Sequence, residues 1–271
     1  MSISMINNTT SYLTHCYDWD ITRINRFPRG KKDIFEKEGV TAIFFDQVEF
    51  FRRVWGLTPQ NISIWEEVLA FYLPHGLSFR VDLPVTAVEN SVFSSIKKNA
   101  KYIYSSYLVC LYLDNNKVLG NAANLSEEIS FLPVTPINIG EYSQIYLRCF
   151  QDNYTFCFDA WHNINALIGL KKWHPYLIYY KNQIAGGGSF FHHGDTALFC
   201  SGSIMPEFRH LGLHQALIKY RLRECLRLGV TQVSAYAQID SISLSNLLKL
   251  GFEKKHAWNT FRYNTSCLMS Q

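Results

Sequence analysis

The segment Gly202 to Gly212 carries the clearest chemical signal in this sequence of 271 residues. It reads Gly-Ser-Ile-Met-Pro-Glu-Phe-Arg-His-Leu-Gly, and it follows an apolar run, Ala197 to Cys200, that predicts a buried strand. Apolar residues at helical spacing follow it. The first turn of a helix has unpaired N–H groups and the positive end of the backbone dipole, which together attract phosphate groups. Because Gly212 has no side chain, the backbone can come close to such a ligand. The segment therefore predicts a pyrophosphate-binding loop.

A second segment, Ser243 to Phe252, predicts a short helix with a defined start and end. Ser243 is the expected N-cap, and Gly251 is the expected left-handed residue at the C-terminal end. Between the two segments, small and β-branched residues predict a strand, and these are Val230, Val233, Ala235 and Ala237. The order is therefore strand, loop, helix, strand, helix.

These two segments resemble the GNAT N-acetyltransferase superfamily. Arg209-x-x-Gly212-x-His214 is similar to its acyl-coenzyme A loop, Gln/Arg-x-x-Gly-x-Gly/Ala, and the second segment is similar to its last helix, which ends in Leu-Gly-Phe. The resemblance covers roughly the last half of the chain. It implies an α/β (α+β) fold with a mixed, mostly antiparallel sheet flanked by helices, and acetyl-coenzyme A (acetyl-CoA) as cosubstrate. His214 replaces a small residue, so its ring either crowds the pyrophosphate or donates an N–H to it; we favour donation.

The resemblance also implies which residues hold the cofactor. The expected cofactor-binding residues are Ser203, Ile204, Met205, Arg209, His210, Leu211, Gly212, Leu213, His214, Ser243 and Asn246. For Asn246 two interpretations are equally supported, a contact with the pantetheine and a local hydrogen bond on the helix surface. One basic residue near the helix after the loop is expected to meet the adenosine phosphate.

Acetyl transfer to an amine requires that the amine lose a proton, attack the thioester carbonyl and expel a thiolate that an acid protonates. The family often supplies this acid as a Tyr in the last helix, where this chain has Leu247. Tyr236 is the candidate replacement, and Glu207 and the pair His192-His193 are candidate bases. Each candidate also has a purely structural interpretation. Tyr236 is then a packed aromatic residue, Glu207 a loop carboxylate near a helix start, and the His pair an exposed hairpin tip. A metal site at the His pair is rejected, because neighbouring strand residues point to opposite faces.

Three consecutive glycines, Gly186 to Gly188, lie inside a predicted strand, Ile184 to Phe191. That strand is expected to pair with Tyr176 to Lys181 through a turn at Asn182-Gln183. No Lys-Ser/Thr follows, which argues against a P-loop. Close backbone approach, to a neighbouring strand or to a bound thioester, is the better explanation.

The chain is long for one such domain and comfortable for two. Prolines within Leu132 to Asn138 predict a linker. We therefore expect a degenerate GNAT-like domain at 1–134, without a second acyl-CoA loop, and the acyl-CoA-binding catalytic domain at 135–271. The elements predicted in the N-terminal domain are a strand at Val40–Phe45, a helix at Ile62–Leu73 stopped by Pro74, a strand at Leu77–Leu83, a helix at Val88–Lys98, and a strand at Tyr102–Leu113 with a turn at Asp114–Asn116. In the catalytic domain, helices are predicted at Tyr142–Phe150 and Asp159–Leu170.

Composition limits the remaining classes. A hydrophobic content of 48% and a charged content of 18% indicate an ordered globular protein. A net charge of +4 is too diffuse to indicate nucleic acid, and some of the basic residues Arg221, Arg223 and Arg227 are expected to form the solvated face of the helix after the loop. Seven cysteines without regular spacing argue against a disulfide framework. The longest apolar stretch is too short to span a bilayer, and no signal peptide pattern is present. These features predict a cytoplasmic protein with no membrane partner.

The sequence thus predicts an N-acetyltransferase that transfers an acetyl group from acetyl-CoA to an amine. The acceptor is a small molecule or a peptide whose identity the sequence does not give, and the oligomeric state is left open. The alternative is an acyl-CoA-binding regulatory module with little or no catalytic activity, which the departures at His214 and Leu247 suggest.

Overall fold

The computed structural model of the chain describes residues 18–85, 91–113, 126–150 and 158–265. The chain forms two compact units. Of the described residues, unit 1 comprises 18–29, 109–113, 126–150, 158–236 and 241–253, and unit 2 comprises 30–85, 91–108, 237–240 and 254–265. These ranges differ from the predicted halves, because 109–113 and 126–134 group with the loop segment and 254–265 groups with unit 2. The functional division at residue 134 stays a prediction.

Strands and helices are numbered in chain order. The strands are β1 (Lys32–Lys37), β2 (Val40–Phe45), β3 (Arg53–Trp55), β4 (Phe79–Pro84), β5 (Ala100–Tyr112), β6 (Ile129–Pro133), β7 (Trp173–Tyr180), β8 (Gln183–His193), β9 (Thr196–Ile204), β10 (Gln232–Gln238) and β11 (Glu253–Tyr263). The α-helices are α1 (18–26), α2 (Trp65–Tyr72), α3 (Ser91–Asn99), α4 (Ile139–Phe150), α5 (Phe158–Asn165), α6 (Leu213–Arg227) and α7 (Ile242–Lys249).

Each unit contains a mostly antiparallel sheet with helices. In unit 1 the strand order is β6-β7-β8-β9-β10; the β6–β7, β7–β8 and β8–β9 pairs are antiparallel, and the β9–β10 pair is parallel. In unit 2 the order is β1-β2-β3-β4-β11; the β1–β2, β2–β3 and β4–β11 pairs are antiparallel, and the β3–β4 pair is parallel. The predicted fold class, a mixed and mostly antiparallel sheet flanked by helices, is confirmed.

Most predicted elements are present with shifted ends. The strand at Val40–Phe45 is β2 as predicted. The α-helix ends at Tyr72, with Leu73 as its C-cap directly before Pro74, as predicted. Pro74 then lies in a 3-10 turn, Leu73–His75, that stops at left-handed Gly76. Such a position tolerates proline because its N–H would have no helical partner. The predicted turn at 114–116 and the start of the helix predicted at Val88 lie outside the described residues.

The predicted linker is partly wrong. Leu132 and Pro133 belong to β6, which pairs with β7 from Ile129↔Tyr180 to Pro133↔Tyr176. β6 ends the strand order, and proline is tolerated on edge strands because the ladder there does not require its N–H. The chain turns only after the strand, where Asn138 Oδ1 accepts from the Thr135 N–H at 2.7 Å.

The glycine run confirms close approach between strands. A Cβ on Gly186 would lie 2.2 Å from the Ser203 carbonyl oxygen, and a Cβ on Gly188 would lie 2.9 Å from Leu217. The β7–β8 turn differs by one residue from the prediction, since Lys181 and Asn182 carry the positive φ angles of +50° and +63°. Two adjacent residues with φ > 0 match the tight turns that suit the twist of a hairpin.

Unit 2 has an aromatic core. Tyr72 stacks on Phe79 at 3.9 Å, Trp65 packs edge-on against Tyr263, and the Tyr72 hydroxyl donates to the Ile43 carbonyl. This agrees with the expectation that the many aromatic residues serve core packing. Within the described ranges, none of the helices has the length and apolar character needed to cross a membrane. The four described cysteines are free thiols, namely Cys110, Cys149, Cys200 and Cys225.

Candidate functional site

The predicted loop connects β9 to α6 in unit 1. After β9 the chain makes a 3-10 turn, Pro206–Phe208, and reaches Gly212, the N-cap of α6, with φ +75° and ψ 0°. No side chain caps this helix start. The first intrahelical bond joins the Ala216 N–H to the Gly212 carbonyl at 3.1 Å, so the N–H groups just before Ala216 have no carbonyl within the helix. The sequence prediction of a helix that opens on the loop is confirmed.

The Cβ position of Gly212 is open. Among the described residues, a Cβ on Gly212 would meet no atom within 4 Å, in contrast to the crowded glycines of β8. Glycine is favoured here for two reasons. Its backbone adopts the left-handed conformation at little cost, and the absence of a side chain lets a ligand approach the N–H groups at the helix start. The arrangement suits the pyrophosphate of a coenzyme.

β9 and β10 pair over only part of their length. Their parallel register runs from Thr196↔Gln232 to Phe199↔Ala235, whereas β9 continues to Ile204. In this later part Ser201, Gly202 and Ser203 are partly exposed. Backbone groups that β10 does not pair can hydrogen-bond an extended ligand, as an added strand does. Because β9 runs directly into the loop, a ligand at Gly212 can continue along β9.

His214 and Asn246 form a hydrogen-bonded chain between α6 and α7. Gln215 Nε2 donates to Asn246 Oδ1 at 2.9 Å, and Asn246 Nδ2 lies 3.1 Å from His214 Nδ1. The amide orientation makes Nδ1 an acceptor, which leaves the proton of the neutral ring on Nε2. Burial, helped by the charge of Arg221, lowers the pKa of His214 to about 4. His214 is therefore a neutral N–H donor near pH 7. Asn246 is buried and bonds across to α6, not locally on the surface of α7, and its contact with the pantetheine stays a prediction.

The other predicted cofactor residues fall into two groups. Ser203 and the buried pair Ile204 and Met205 end β9 and begin the loop. Arg209, His210, Leu211 and Gly212 are exposed on the loop, whereas the Leu213 side chain is buried in the core. Leu213 can therefore offer a ligand only its backbone.

Ser243 is not the N-cap of α7. Ser241 has this role, because its hydroxyl accepts from the Leu244 N–H at 3.1 Å. Ser243 lies inside the helix and is partly exposed. The predicted C-terminal end is confirmed, since Gly251 has φ +93° and the Phe252 N–H bonds the Leu247 carbonyl at 3.1 Å.

The candidate catalytic residues occupy different places. Tyr236 directly follows Ala235, where the β9–β10 pairing ends, and it is 36% exposed. Glu207 lies on the 3-10 turn, where a carboxylate oxygen is 3.0 Å from Arg148 Nη2 and both side chains are about half exposed. At the β8–β9 hairpin, His192 Nε2 contacts the Gly194 carbonyl at 2.8 Å, and His193 lies 3.5 Å from the Asp18 carboxylate.

Sequence reasoning missed Arg148. Besides its ion pair with Glu207, its Nη1 contacts Met205 Sδ at 3.5 Å, so α4 is tied to the loop at two points. No motif marks this residue. The next residue, Cys149, is near Ser203 and Arg209, and burial raises the pKa of its thiol despite a hydrogen bond from Ser203 and the nearby arginines.

Arg221 does not belong to the solvated face expected for some of the arginines of α6, because it is 3% exposed. Its guanidinium stacks over Phe199 at 4.2 Å. Arg227 is exposed as predicted, and Arg223 is partly buried. Among the residues that the structure describes, no group of three or more His, Cys, Asp or Glu side chains is placed to hold a metal ion.

Comparison with solved structures shows which fold this is. No protein-family model matches the chain, and no curated protein matches it in sequence. A functionally unknown conserved protein from Staphylococcus epidermidis has a TM-score of 0.67 at 13% identity, over 87% of this chain and 94% of that chain. A tandem GNAT protein from the clavulanic acid biosynthesis pathway has a TM-score of 0.66 at 16% identity, and the match covers 91% of this chain and 87% of that chain. A GCN5-related N-acetyltransferase from Kribbella flavida has a TM-score of 0.62 at 11% identity, and the match covers 90% of this chain and 93% of that chain.

At these identities the likeness shows the fold alone. The fold is that of a two-domain GNAT protein, with two GNAT-like domains, as the loop and the last helix predicted. The similarity extends over most of the chain, so it also includes the part before the loop, for which no motif was found.

Proposed function

We propose that the protein is an N-acetyltransferase that transfers the acetyl group of acetyl-CoA to the amine of a small molecule or peptide. The observation that carries this proposal is the left-handed Gly212 at the start of α6, which has no side-chain cap and no described atom within 4 Å of its Cβ position. The N–H groups of the first turn hold the pyrophosphate, and the helix dipole favours its charge. The unpaired end of β9 leads away from this point and suits the pantetheine and the thioester.

The loop residues have separate roles in this proposal. The backbone from Arg209 to His214 surrounds the pyrophosphate, and the neutral Nε2–H of His214 donates to it. Asn246 fixes the orientation of that ring. Ser203 to Met205 and Ser243 lie along the path of the pantetheine. The structure supports these roles through position and hydrogen-bond direction.

The chemical step is direct transfer in a ternary complex. The amine loses a proton, its nitrogen bonds to the thioester carbonyl carbon, and the C–S bond breaks to release the coenzyme A thiolate. Tyr236, beside the point where β9 and β10 separate, protonates the thiolate, and Glu207 takes the proton of the amine. Glu207 requires release from Arg148 or transfer through water, because its carboxylate is engaged in the ion pair with Arg148.

A second candidate function is acyl-CoA binding for regulation, with little or no catalysis. The specific observation in its favour is Leu247, which is 2% exposed where the resembling family often has a tyrosine acid. The two functions share the binding site and differ in turnover.

A titration and an activity assay on the full chain separate the two functions. Calorimetry with acetyl-CoA is expected to give one equivalent bound, because no second loop of this kind occurs in 1–134. Thiol release is then measured with a panel of amines. If the protein is the transferase, an amine stimulates release, and Tyr236→Phe and Glu207→Gln each lower it by roughly 10²–10⁴-fold. Binding without amine-stimulated release identifies the regulatory module, and no binding refutes both.

We also propose a cytoplasmic location, with no nucleic-acid or membrane partner. The free thiols of the four described cysteines support a reducing compartment. Fractionation of cells that express a tagged full chain tests this location.

A further inference from the structure

β9 contains a bulge just past the end of its pairing with β10. Gly187 pairs with Ser203 and Ser189 pairs with Cys200, so Gly188 of β8 faces two residues, Ser201 and Gly202, of β9. Ser201 has a left-handed backbone, with φ +51°. A bulge bends its strand and leaves ladder groups unpaired. This one therefore sets the direction in which β9 leaves β10.

Arg221 of α6 reaches into the bulge. Its Nη1 donates to the Ser189 carbonyl at 3.0 Å and to the Cys200 carbonyl at 3.2 Å, and these residues are the register partners next to the irregularity. Its Nε lies 3.4 Å from the Leu217 carbonyl of its own helix. One guanidinium therefore holds both strands at the point where their ladder is interrupted.

The surroundings are shaped for this side chain. A Cβ on Gly202 would lie 3.0 Å from Arg221 Nη2, so a larger residue would press on the guanidinium. The guanidinium also lies over the Phe199 ring, with Cζ 4.2 Å from the ring centroid. Within the described ranges, Arg221 contacts carbonyl oxygens and an aromatic face and forms no ion pair with a carboxylate.

A buried charge with no carboxylate partner is costly, so it needs compensating hydrogen bonds. Burial lowers the pKa of Arg221 to about 10, which leaves the side chain charged at neutral pH. An apolar residue of similar length would fill the same space without that cost, but it would leave the two carbonyls unbonded. The distinctive contribution of Arg221 is therefore to hold the bulge carbonyls.

We propose that Arg221 is a positioning residue that fixes the course of β9 beyond Phe199 and thereby positions the acyl group of the bound thioester. This inference rests on the proposed binding of acyl-CoA along β9. The pyrophosphate end of the ligand binds at the other end of the same segment and of α6, so it depends on Gly212 and not on the bulge. The acyl and pyrophosphate ends are thus controlled by different residues.

The test compares coenzyme A with acetyl-CoA, which differ only in the acyl group. Calorimetry gives both affinities for wild type, Arg221→Met and Arg221→Lys, with Arg227→Met as control because Arg227 is exposed on the same helix. We expect the Arg221 variants to bind coenzyme A within about twofold of wild type but to lower the ratio of acetyl-CoA affinity to coenzyme A affinity by about tenfold, the order of one lost hydrogen bond between the β9 backbone and the thioester carbonyl. Arg221→Lys is expected not to restore the wild-type affinity ratio, since lysine cannot present a planar guanidinium to the two carbonyls.

Gly202→Ala is the second variant, in case the Arg221 variants fail to fold. It retains the charge and displaces the guanidinium, and it is expected to change the same ratio in the same direction. A ratio equal to that of Arg227→Met in every folded variant overturns the inference. If the wild-type protein binds neither coenzyme A nor acetyl-CoA, the proposed function itself is refuted. That outcome is distinguishable from an unchanged affinity ratio, which refutes only the role of Arg221.

Discussion

The binding role of Gly212 can be separated from its role in the fold. Gly212 and Gly229 lie just outside opposite ends of α6, with nearly equal φ angles of +75° and +76°, and a Cβ on either would meet no atom within 4 Å. Alanine at both positions therefore carries the same conformational penalty, about 1–2 kcal/mol for a left-handed backbone. Only the Cβ at position 212 lies in front of the helix start.

We expect Gly212→Ala and Gly229→Ala to lower the free energy of unfolding by similar amounts. For a chain of this size each kcal/mol corresponds to a fall in Tm of about 2–4 °C. Acetyl-CoA affinity is expected to differ between them. Gly212→Ala places a methyl group where the phosphate approaches, and we expect at least about a tenfold loss, or 1.4 kcal/mol. Gly229→Ala is expected to bind like wild type.

The measurements are denaturant unfolding and calorimetric titration with acetyl-CoA, at a temperature where both variants are folded. Wild-type affinity in Gly212→Ala would refute the pyrophosphate site. Equal losses of affinity in both variants would show that the effect comes from destabilised α6 and not from the site. Either result would remove the main support for the proposed function.

Three further predictions concern stability. Burial lowers the pKa values of His174 and His214 from 6.5 to about 4, helped by His192 beside His174 and by Arg221 near His214. Between pH 6.5 and pH 4 the unfolded chain therefore binds more protons than the folded chain, and the free energy of unfolding falls as the pH falls through this range. Urea unfolding at pH 7 and pH 5 should therefore show a smaller loss in the double variant His174→Gln/His214→Gln, and an equal loss would contradict this. Leu247→Tyr should overpack the core, lower stability by about 1–3 kcal/mol and give no increase in thiol release; a faster enzyme would show that the position can serve as acid. Gly186→Ala should destabilise strongly, because its Cβ would lie 2.2 Å from a backbone oxygen of β9, whereas Gly140→Ala, with 3.5 Å to its nearest atom, should be neutral or stabilising by up to about 1 kcal/mol; similar thermal shifts in both would refute the close-approach explanation.

Local patterns determined much of this protein. The strand at Val40–Phe45, the helix after Gly212 and the left-handed Gly251 were all predicted from neighbouring residues. Such features depend on side-chain periodicity and on backbone conformations that only glycine adopts easily. The same two motifs predicted the fold, because their order and spacing fit one intervening helix and strand.

Other features depended on contacts between distant residues. β6 is a strand because β7 pairs with it, although Pro133 together with Pro136 indicated a linker. Arg148 is bound to Glu207, and His214 is held neutral beside Asn246, through packing that no local pattern encodes. The N-cap of α7 is a lesser example. Ser243 was predicted for this position, but Ser241, an equivalent residue two positions earlier, occupies it.

Arg221 shows most clearly where sequence reasoning ends. Its residue type and its charged neighbours on α6 predicted a solvated face, because burying a charge is costly. The tertiary structure offsets that cost with two carbonyls of a β-bulge and the face of Phe199, which come from strands that precede it in the chain. The sequence thus determined the loop and the fold through local conformation, and only the tertiary structure decided which charged residue is buried, because that choice depends on partners brought together by folding.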